Sequence, residues 1–429
     1  MSWRSTTFLL AAGLAVGLSY ASAATAARPT EPTKRKTVLV VQGESEFAAA
    51  ERYFRYSGGK IVLRPYLYRQ LVVGPRSRRP LRIVGTRGAR VEQMLFAGAQ
   101  RVSFGRVTVG PIRGDALLKV DDSRSIVLHD LVVSARGTRH SASILLSKAH
   151  GVTIRRSNFM HCGDRAREFT NCVTLYRWSH RVVIEDNRFH DCLGCDFING
   201  RFGTHLTIRR NRFDRSLPCR MSAHRCGHQD LVQLFAGRHL RVVGNRFGVY
   251  KNGGAQLYLT NNVDYATIVN NVFAATDPRV PGYRVRMGIV VGSNASRRLP
   301  HYAKVINNTI LSGAVRRDGY AGSIRMSSRY STVPRWKRPI VANNVIALLD
   351  TPARVCNGSQ RFIFNVVIQG RGCSESDQTG SPDLDGRGRP RRTSAVIDGA
   401  NRHYAPTRDA LGRRRTGRPD IGAFEYEKG

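Results

Sequence analysis

The segment GHQDLVQLF contains the side chains with the clearest capacity for chemistry. His228 has the properties of a proton-accepting base, Asp230 those of an acid, a base or a metal ligand, and Gln233 those of a hydrogen-bonding group. A similar segment, DFIN, begins at Asp196 and ends at Asn199. Both segments follow the pattern Asp-x-x-amide, and its repetition indicates a paired site.

The spacing of downstream asparagines indicates how the two segments are arranged. An apolar, strand-forming run followed by Asn, one further residue and then Phe or a β-branched residue recurs through the middle of the chain. The asparagines of this repeat are Asn158, Asn187, Asn211, Asn245, Asn271, Asn308, Asn344 and Asn365. Strands this short cannot bury a face alone, so successive coils must stack and share a core. Stacking predicts a ladder of side-chain amides, with each asparagine in the left-handed conformation of a sharp corner.

Alignment on these asparagines brings the two acidic segments together. Asp196 lies fifteen residues before Asn211, and Asp230 lies fifteen residues before Asn245. Adjacent strands of a sheet are about 4.8 Å apart, so the two carboxylates are predicted to be neighbours that share a proton or a cation. At this position in other coils the alignment gives Ser143, Cys172 and Gln256. The two acids are therefore a local exception within the repeat.

A structural interpretation of the same residues stays open. Asp230 can cap a turn by accepting hydrogen bonds from backbone N–H groups. Gln233 can form a second amide ladder with Asn199, and His228 would then be a solvated loop residue. The residues alone do not decide between this interpretation and a reaction centre.

The coils and their NxF corners resemble the right-handed parallel β-helix of the pectate-lyase-like superfamily, over about residues 45–373. The segment SEFAAAERYFRYSGGKIVLRPYLY resembles the entry of that fold, a helix that caps the solenoid before a Gly-Gly turn and the first strand. The segment PDIGAFEY is similar to its closing segment. The resemblance implies an all-β, right-handed parallel β-helix (solenoid) with an N-terminal helical cap and a C-terminal return tail over residues 374–429. It does not fix the activity, because this fold hosts lyases, hydrolases, epimerases and adhesins.

The N-terminal residues predict export. Arg4, a short apolar run and a stretch of small residues are typical of a secretory signal peptide over residues 1–26, followed by a linker over 27–44. The apolar run is shorter than the roughly 20 residues that span a bilayer, so we predict a secreted protein with no membrane span. Eight cysteines lie as neighbouring pairs, which favours four local disulfides, although the sequence does not prove the pairing.

The composition points to a polyanionic partner. A net charge of +39 arises from 69 Lys and Arg against 30 Asp and Glu. Such a field attracts nucleic acid, anionic lipid surfaces or acidic glycans. For a secreted chain we predict an acidic polysaccharide as partner, with no nucleic acid, and we expect a monomer.

The function predicted from these observations is a lyase that cleaves a uronate-containing glycan by β-elimination. His228 would remove the proton, and Asp196 and Asp230 would be catalytic or would bind a calcium ion, the only cofactor that we expect. The predicted substrate-binding residues are Asn199, Gln233, Arg201, Arg238, Lys251 and Tyr258.

Three alternatives remain from the sequence. These are a non-catalytic glycan-binding or cell-surface protein, a glycoside hydrolase and a uronan epimerase. The hydrolase is disfavoured because the double-Asp and Gly-His-Gly signatures of hydrolases with this fold are missing. GHQD resembles only the His-containing end of the epimerase motif Asp-Pro-His-Asp, whereas HQDLVQ more closely resembles a His-x-Asp-x-x-Gln step in β-helix proteins of unassigned activity.

Overall fold

The structure is a computed structural model in which residues Thr37–Gly429 form one compact unit. It describes residues 36–76, 78–111, 116–135, 142–162, 171–214, 216–217, 230–249, 254–274, 287–292, 298–311, 322–349 and 361–427. The predicted signal peptide, residues 1–26, lies outside these ranges. Within them, no helix is long and apolar enough to cross a membrane.

Short parallel strands dominate the unit and pair into one 33-stranded sheet that winds along a solenoid. Its three faces are called the first, second and third sheets. The first sheet contains Leu67–Val73, Arg90–Ala97, Ala116–Asp121, Ala142–Ser147, Asn171–Ser179, Ile198–Arg209, Val232–Val243, Ala255–Leu259, Met287–Val291 and Gly322–Met326. The second contains Val38–Val41, Gly59–Leu63, Leu81–Gly85, Gln100–Gly105, Arg124–His129, Thr153–Arg155, Val182–Glu185, the ends of Ile198–Arg209 and Val232–Val243, then Thr267–Val269, Lys304–Ile306, Ile340–Ala342 and Arg361–Ile363.

The third sheet contains Thr108–Val109, Val132–Ser134, Asn158–Met160, Arg188–His190, Arg212–Phe213, Arg246–Phe247, Val272–Phe273, Thr309–Ile310, Val345–Leu349, Val366–Gly370 and Gln378–Thr379. Val263–Asp264 adds to Val232–Val243, and Cys192–Leu193 pairs with Ser216–Leu217. Two 3₁₀ helices span Ser328–Thr332 and Arg335–Lys337. The predicted β-helix architecture is confirmed, because the strands of each described coil pair in parallel with the equivalent strands of the next coil.

A helix covers the N-terminal end of the solenoid, as the resemblance implied. It spans Glu44–Ser57 and buries Phe47, Ala50 and Phe54 against the first strands. Gly58 ends it with a φ of 69°, a conformation that favours glycine. The strand Val38–Val41 precedes the helix and lies within the segment 27–44 that we expected to be a linker. The cap therefore shields apolar core that an open end would expose.

The predicted asparagine ladder is confirmed at the corner between the second and third sheets. The backbone N–H of Asn211 donates to Oδ1 of Asn245 at 2.9 Å, and Asn245 does the same to Asn271 at 2.9 Å. Their Nδ2 groups donate to the same oxygens at 3.1 and 2.9 Å and to strand carbonyls. The pattern continues through Asn308, Asn344 and Asn365 and ends on Oδ1 of Asp377. Each buried amide is thereby satisfied.

Two details of the predicted ladder are wrong. Ser157, and not Asn158, accepts the hydrogen bond at the corner below Asn187, because Asn158 already pairs in the third sheet. The left-handed residue is also the one before each ladder asparagine, for example Arg210 with a φ of 52°. The asparagines are therefore needed for their side-chain amides and not for their backbone conformation.

The left-handed residues of this corner alternate in charge along the exposed coils. Arg156 donates to both carboxylate oxygens of Asp130, and Arg210 donates to both oxygens of Asp186 at 2.7 Å. These hydrogen bonds hold the pKa of Asp130 and the pKa of Asp186 below their usual range. The alternation keeps side chains of the same charge from lying next to each other in adjacent coils of this highly basic chain.

The last residues of the chain pack on the later coils, where the left-handed residues are asparagines. Asn270 Nδ2 donates to the carbonyl of Arg408 at 2.6 Å, and Asn307 Nδ2 donates to the carbonyl of Asp420 at 2.8 Å. Buried Arg415 links two parts of the tail, because it donates a hydrogen bond to Glu425 at 2.8 Å. Asp420 and Glu425 therefore have structural roles in the contacts that the tail makes.

Two disulfides follow the neighbour-pair prediction. Cys162 is bonded to Cys172 and Cys192 is bonded to Cys195. Cys373 is also disulfide-bonded. The remaining cysteines, Cys219, Cys226 and Cys356, lie outside the described residues.

The amide ladder predicts a large cost for a small truncation. We expect Asn245→Ala to lower the free energy of unfolding by roughly 2–4 kcal/mol, because it leaves buried amide and carbonyl groups without partners. Urea denaturation followed by circular dichroism measures this loss. Asn199→Ala, which removes a half-buried amide outside the ladder, should cost less. Equal costs for the two variants would contradict the role of the ladder.

The corner ion pairs predict a dependence on pH. Because the pKa of Asp186 is depressed, its contribution is present above the usual carboxyl pKa of about 3.9 and is lost as the pH falls through the folded-state value. Asp186→Asn should lower stability by roughly 0.5–1 kcal/mol at pH 7, and the urea midpoints of variant and parent should converge in strong acid. Asp122→Asn is the control, since Asp122 is exposed and has no ion pair among the described residues. A difference that persists unchanged at low pH would contradict this assignment.

Candidate functional site

Asp196 and Asp230 occupy equivalent positions in adjacent coils, immediately before strands of the first sheet. The backbone N–H of Asp230 donates to Oδ1 of Asp196 at 2.8 Å, and the N–H of Ala255 donates to Oδ1 of Asp230. The side chains are buried, with 7% and 1% of the two residues exposed. Each acid therefore connects its own coil to the next one.

Asn171 shows that a carboxylate is not required for this connection. It precedes Asp196 in the same column, and its Oδ1 accepts the N–H of Asp196 at 3.3 Å. The alignment that gave Ser143 and Cys172 for this position is wrong by one residue, because Ala142 and Asn171 are the register partners here. Ala255 stands at the position predicted for Gln256. The column is a second acceptor ladder whose side chains point toward the following coil, opposite to the asparagine ladder.

Calcium was the predicted cofactor of this pair. A calcium ion takes six to eight oxygen ligands, whereas Oδ1 of both Asp196 and Asp230 accepts a backbone N–H. In the part of the chain that the structure describes, no three Asp, Glu, His or Cys residues form a group that could hold a metal ion. The described donors alone do not fit a calcium ion. Calcium binding is a prediction from the sequence that these residues do not support.

Asn199, Gln233 and Tyr258 form a continuous polar column on the outer side of the first sheet. They are direct register partners in three successive coils. Asn199 Nδ2 donates to Oδ2 of Asp196 at 2.5 Å and to Oε1 of Gln233 at 2.9 Å. Both hydrogens of this amide are thereby used. The buried acid orients the first amide, and the first amide orients the second.

The predicted arginines lie at different distances along the coil from this polar column. Arg201 is exposed and follows Asn199 by two residues on the same strand. Arg238 is exposed at the next corner, where it pairs in register with Asp264 and lies 5.4 Å from the ring centre of Tyr265. Arg201 therefore follows the polar column on its own strand, at an irregularity in the register, whereas Arg238 belongs to the corner.

Two exposed aromatic residues lie in the preceding coil, in the irregular stretch of strand opposite Arg201. Tyr176 is 50% exposed and Trp178 is 54% exposed. Arg177 lies between them in sequence, with its guanidinium 5.2 Å from the ring centre of Tyr176. Exposed rings beside a guanidinium suit stacking against a ligand with apolar and anionic faces.

An exposed stack of aromatic rings was missed by the sequence reasoning. His205, His239, Tyr265 and Tyr302 stack in series with ring-centre distances of 4.8, 5.1 and 4.6 Å. Each lies six residues before a ladder asparagine, a fixed spacing that could have revealed the stack. Because neighbouring rings cover one another's faces, this stack supports the corner and offers mainly ring edges.

The remaining predicted site residues, His228 and Lys251, lie outside the described residues. The structure therefore brings together Asp196 with Asp230, and Asn199 with Gln233 and Tyr258. It leaves the roles of His228 as base and of Lys251 as substrate-binding residue as predictions.

Comparison with known proteins confirms the handedness and class of the fold. A family model described as "Right handed beta helix region" matches residues 96–346. Solved structures with a similar course include PfbA, a surface adhesin of Streptococcus pneumoniae, which is 11% identical with a TM-score of 0.46 over 77% of this chain and 89% of that chain. A comparison with curated protein sequences finds no match.

Two polysaccharide lyases are similar to the same extent. Pectate lyase Pel9A is 12% identical with a TM-score of 0.45, over 92% of this chain and 97% of that chain. The PL6 family alginate lyase AlyGC is 11% identical with a TM-score of 0.43, over 90% of this chain and 57% of that chain. At this level of similarity none of these structures carries information on the activity of this chain.

The acceptor ladder predicts which substitutions the fold tolerates. Asp230→Asn keeps an Oδ1 acceptor, as Asn171 does, so it should change the free energy of unfolding by less than about 1 kcal/mol. Asp230→Ala removes the acceptor of a buried N–H and should cost roughly 1–3 kcal/mol. Urea midpoints compare the two variants. If the Asn variant is as unstable as the Ala variant, the negative charge and not the acceptor is what the fold needs.

Proposed function

The chain belongs to the family of proteins with a right-handed β-helix region, and we propose that it acts on an acidic polysaccharide held along the outer side of the first sheet. The observation that carries this proposal is the polar column Asn199, Gln233 and Tyr258 beside the exposed Arg201. It lies on a chain with a net charge of +39. The disulfides support an extracellular setting for such a substrate.

The two amides of the column suit sugar hydroxyl groups. Asn199 uses both Nδ2 hydrogens within the fold, which leaves its Oδ1 as an acceptor with no partner among the described residues. Gln233 uses Oε1 and leaves Nε2 as a donor under the same condition. A hydroxyl group both donates and accepts, so adjacent free acceptor and donor atoms match it. Their fixed orientation lowers the entropic cost of binding.

The acidic character of the substrate follows from the neighbouring charge. Arg201 is exposed and has no ion pair within the described residues. A guanidinium in this state can bind a uronate carboxylate through two parallel hydrogen bonds. Tyr176 and Trp178 can stack on sugar rings in the adjoining coil. These groups cover successive coils, which suits a polymer better than a monosaccharide.

The reaction that we propose is β-elimination. A base removes the proton from the carbon next to the uronate carboxylate, a carbon–carbon double bond forms, and the glycosidic C–O bond breaks with its electrons going to the leaving oxygen. Arg201 would stabilise the negative charge that builds up on the carboxylate. Asp196 acts as a positioning residue, because its Oδ2 orients Asn199. His228 remains the predicted base.

A second function, glycan binding without cleavage, is favoured by one observation. Asp196 and Asp230 are buried, and Oδ1 of each accepts a backbone N–H. Carboxylates occupied in this way serve the scaffold, which leaves the amides and arginines as the groups available to a ligand. Binding alone would need no more than these groups.

Incubation of the protein with alginate, pectate and glycosaminoglycans tests both functions. A lyase releases unsaturated uronides, whose double bond absorbs ultraviolet light. Asp230→Asn should lose this activity while it still folds, because Asp230 is a predicted catalytic carboxylate, whereas the fold needs only its Oδ1 acceptor. Binding in the absence of new absorbance or new reducing ends would exclude the lyase and support the binding protein. Full activity in a chelator would exclude a calcium-assisted reaction.

The polar column predicts which variants lose the glycan. Arg201→Gln should weaken binding of the preferred polymer about tenfold, since it removes one charge-assisted contact. Asn199→Ala combined with Gln233→Ala should weaken it further at all salt concentrations. Arg241→Gln is the matched control, because Arg241 is exposed in the second sheet. Equal weakening by Arg201→Gln and Arg241→Gln would show that only net charge matters and would exclude the proposed surface.

A further inference from the structure

Arginines stack on the outer side of the third sheet, away from the polar column. Arg188, Arg212 and Arg246 are register partners in three successive coils. Adjacent strands are about 4.8 Å apart, so three positive side chains start from neighbouring points of one surface. Such a column is unfavourable unless something neutralises it.

Only part of this column is neutralised within the protein. Buried Asp214 accepts hydrogen bonds from Nε of Arg188 at 2.9 Å and from Nε of Arg212 at 2.6 Å. Arg246 has no ion pair or hydrogen bond from its side chain within the described residues, and Val272 follows it in the column. The positive charge is therefore uncompensated at the coil of Arg246.

The C-terminal tail brings two more arginines to this coil. The turn that contains Arg387 and Arg389 is fixed by Asp385, whose Oδ1 accepts both of their backbone N–H groups at 2.8 and 2.9 Å. Gly388 lies against the solenoid, where a Cβ atom would come within 3.0 Å of a methyl group of Thr309. The turn is thus held against the third sheet, with an arginine on each side of its glycine.

These side chains line a cleft between the tail and the solenoid. Its volume is about 470 Å³, and Arg212, Arg246, Arg387 and Arg389 line it. The guanidinium of Arg389 lies 5.6 Å from the ring centre of Phe424. Nε of Arg389 is buried and has no hydrogen-bond partner within the described residues. A buried donor without a partner means that the fold does not fully satisfy this guanidinium.

The electrostatics of the cleft favour a negative ligand. Although the residue as a whole is exposed, partial burial of its guanidinium lowers the pKa of Arg246, and the positive charges of Arg212 and Arg387 lower it further. Asp214 and Asp385 oppose this effect. Asp214 is shared by two arginines and Asp385 binds backbone N–H groups, so neither carboxylate fully neutralises the cleft.

From this arrangement we infer that the cleft between the C-terminal tail and the third sheet binds an oxyanion through Arg212, Arg246, Arg387 and Arg389. Guanidinium groups match the planar or tetrahedral oxygens of carboxylate, sulfate and phosphate. The volume also accommodates a sugar that carries such a group. This site is independent of the polar column on the first sheet, so either can fail without the other.

Calorimetric titration with inorganic sulfate at constant ionic strength tests the cleft. We expect saturable binding to the parent protein, and a dissociation constant at least about tenfold weaker for Arg246→Gln and for Arg387→Gln. Arg241→Gln, which removes the same charge from the same coil but from a strand of the second sheet outside the cleft, should bind like the parent. Equal affinity of all variants, or no saturable binding, would overturn the inference.

Thermal unfolding without sulfate separates a binding role from a structural one. Because Arg246 lies beside two other arginines, Arg246→Gln should unfold at the same temperature as the parent or higher in chloride buffer. A lower unfolding temperature in chloride would mean that Arg246 stabilises the tail, which contradicts the inference.

A second titration with a sulfated disaccharide distinguishes the source of the oxyanion. Tighter binding than sulfate indicates a sugar-borne anion and weaker binding indicates a free ion, and both support the cleft.

Discussion

The hydrogen bond from a corner N–H to the side-chain Oδ1 of the next asparagine is the constraint on which the rest of the structure depends. Asn211 is 2% exposed, its N–H donates to Asn245, and its own Oδ1 accepts from Asn187. Its Nδ2 donates both to the next amide and to a strand carbonyl. A primary amide supplies the acceptor and both donors at once. Serine can start the ladder, as Ser157 does, because there it needs only to accept from the coil below and donate within its own corner.

The ladder fixes the register of the coils between Ser157 and Asp377. Because of this register, residues at the same distance from a ladder asparagine lie in one column. Phe189, Phe213, Phe247 and Phe273 each follow a ladder asparagine by two residues and stack in the core at 5.1, 4.9 and 4.5 Å. A slip of one residue would move each ring to the opposite face of its strand. The same register makes Asn199, Gln233 and Tyr258 one surface and makes three arginines one column. The polar column and the arginine column therefore both follow from the register that packs the core.

The sequence predicts this fold well because its signals are local and repeated. The repeat spacing, the Asn-x-Phe corner and the capping helix are each visible within about 30 residues, and the pairing of Asp196 with Asp230 followed from the same spacing. The displaced ladder position at Ser157 could not be found in this way, because Asn158 satisfies the same sequence pattern one residue later. The left-handed residue was also misplaced, since Arg210 and Phe364 adopt a conformation that their residue types disfavour.

Long-range features were out of reach for a different reason. Nothing in the spacing of the coils indicates that Gly388 packs on Thr309, so the cleft between tail and solenoid had no sequence signal. The direction in which Asp230 points is likewise decided by the N–H of Ala255 in the next coil. A carboxylate beside a histidine in sequence suggests chemistry, whereas the three-dimensional column shows an acceptor that Asn171 also provides. The local sequence shows which side chains could take part in chemistry. Their hydrogen-bond partners are known only once the coils are stacked.

Part of the positive charge is neutralised by ion pairs within the scaffold. Only the arginines without such a partner can support a function. Arg156 and Arg210 are bound to acids at the corner, so they contribute little field to a distant ligand. Arg201 and Arg246 have no such partner among the described residues. One lies beside two oriented amides and the other in a cleft with three further guanidinium groups. The basic composition therefore supports a function at these two places, where an unpaired arginine lies near other polar or positive groups, and not at an isolated exposed arginine such as Arg241.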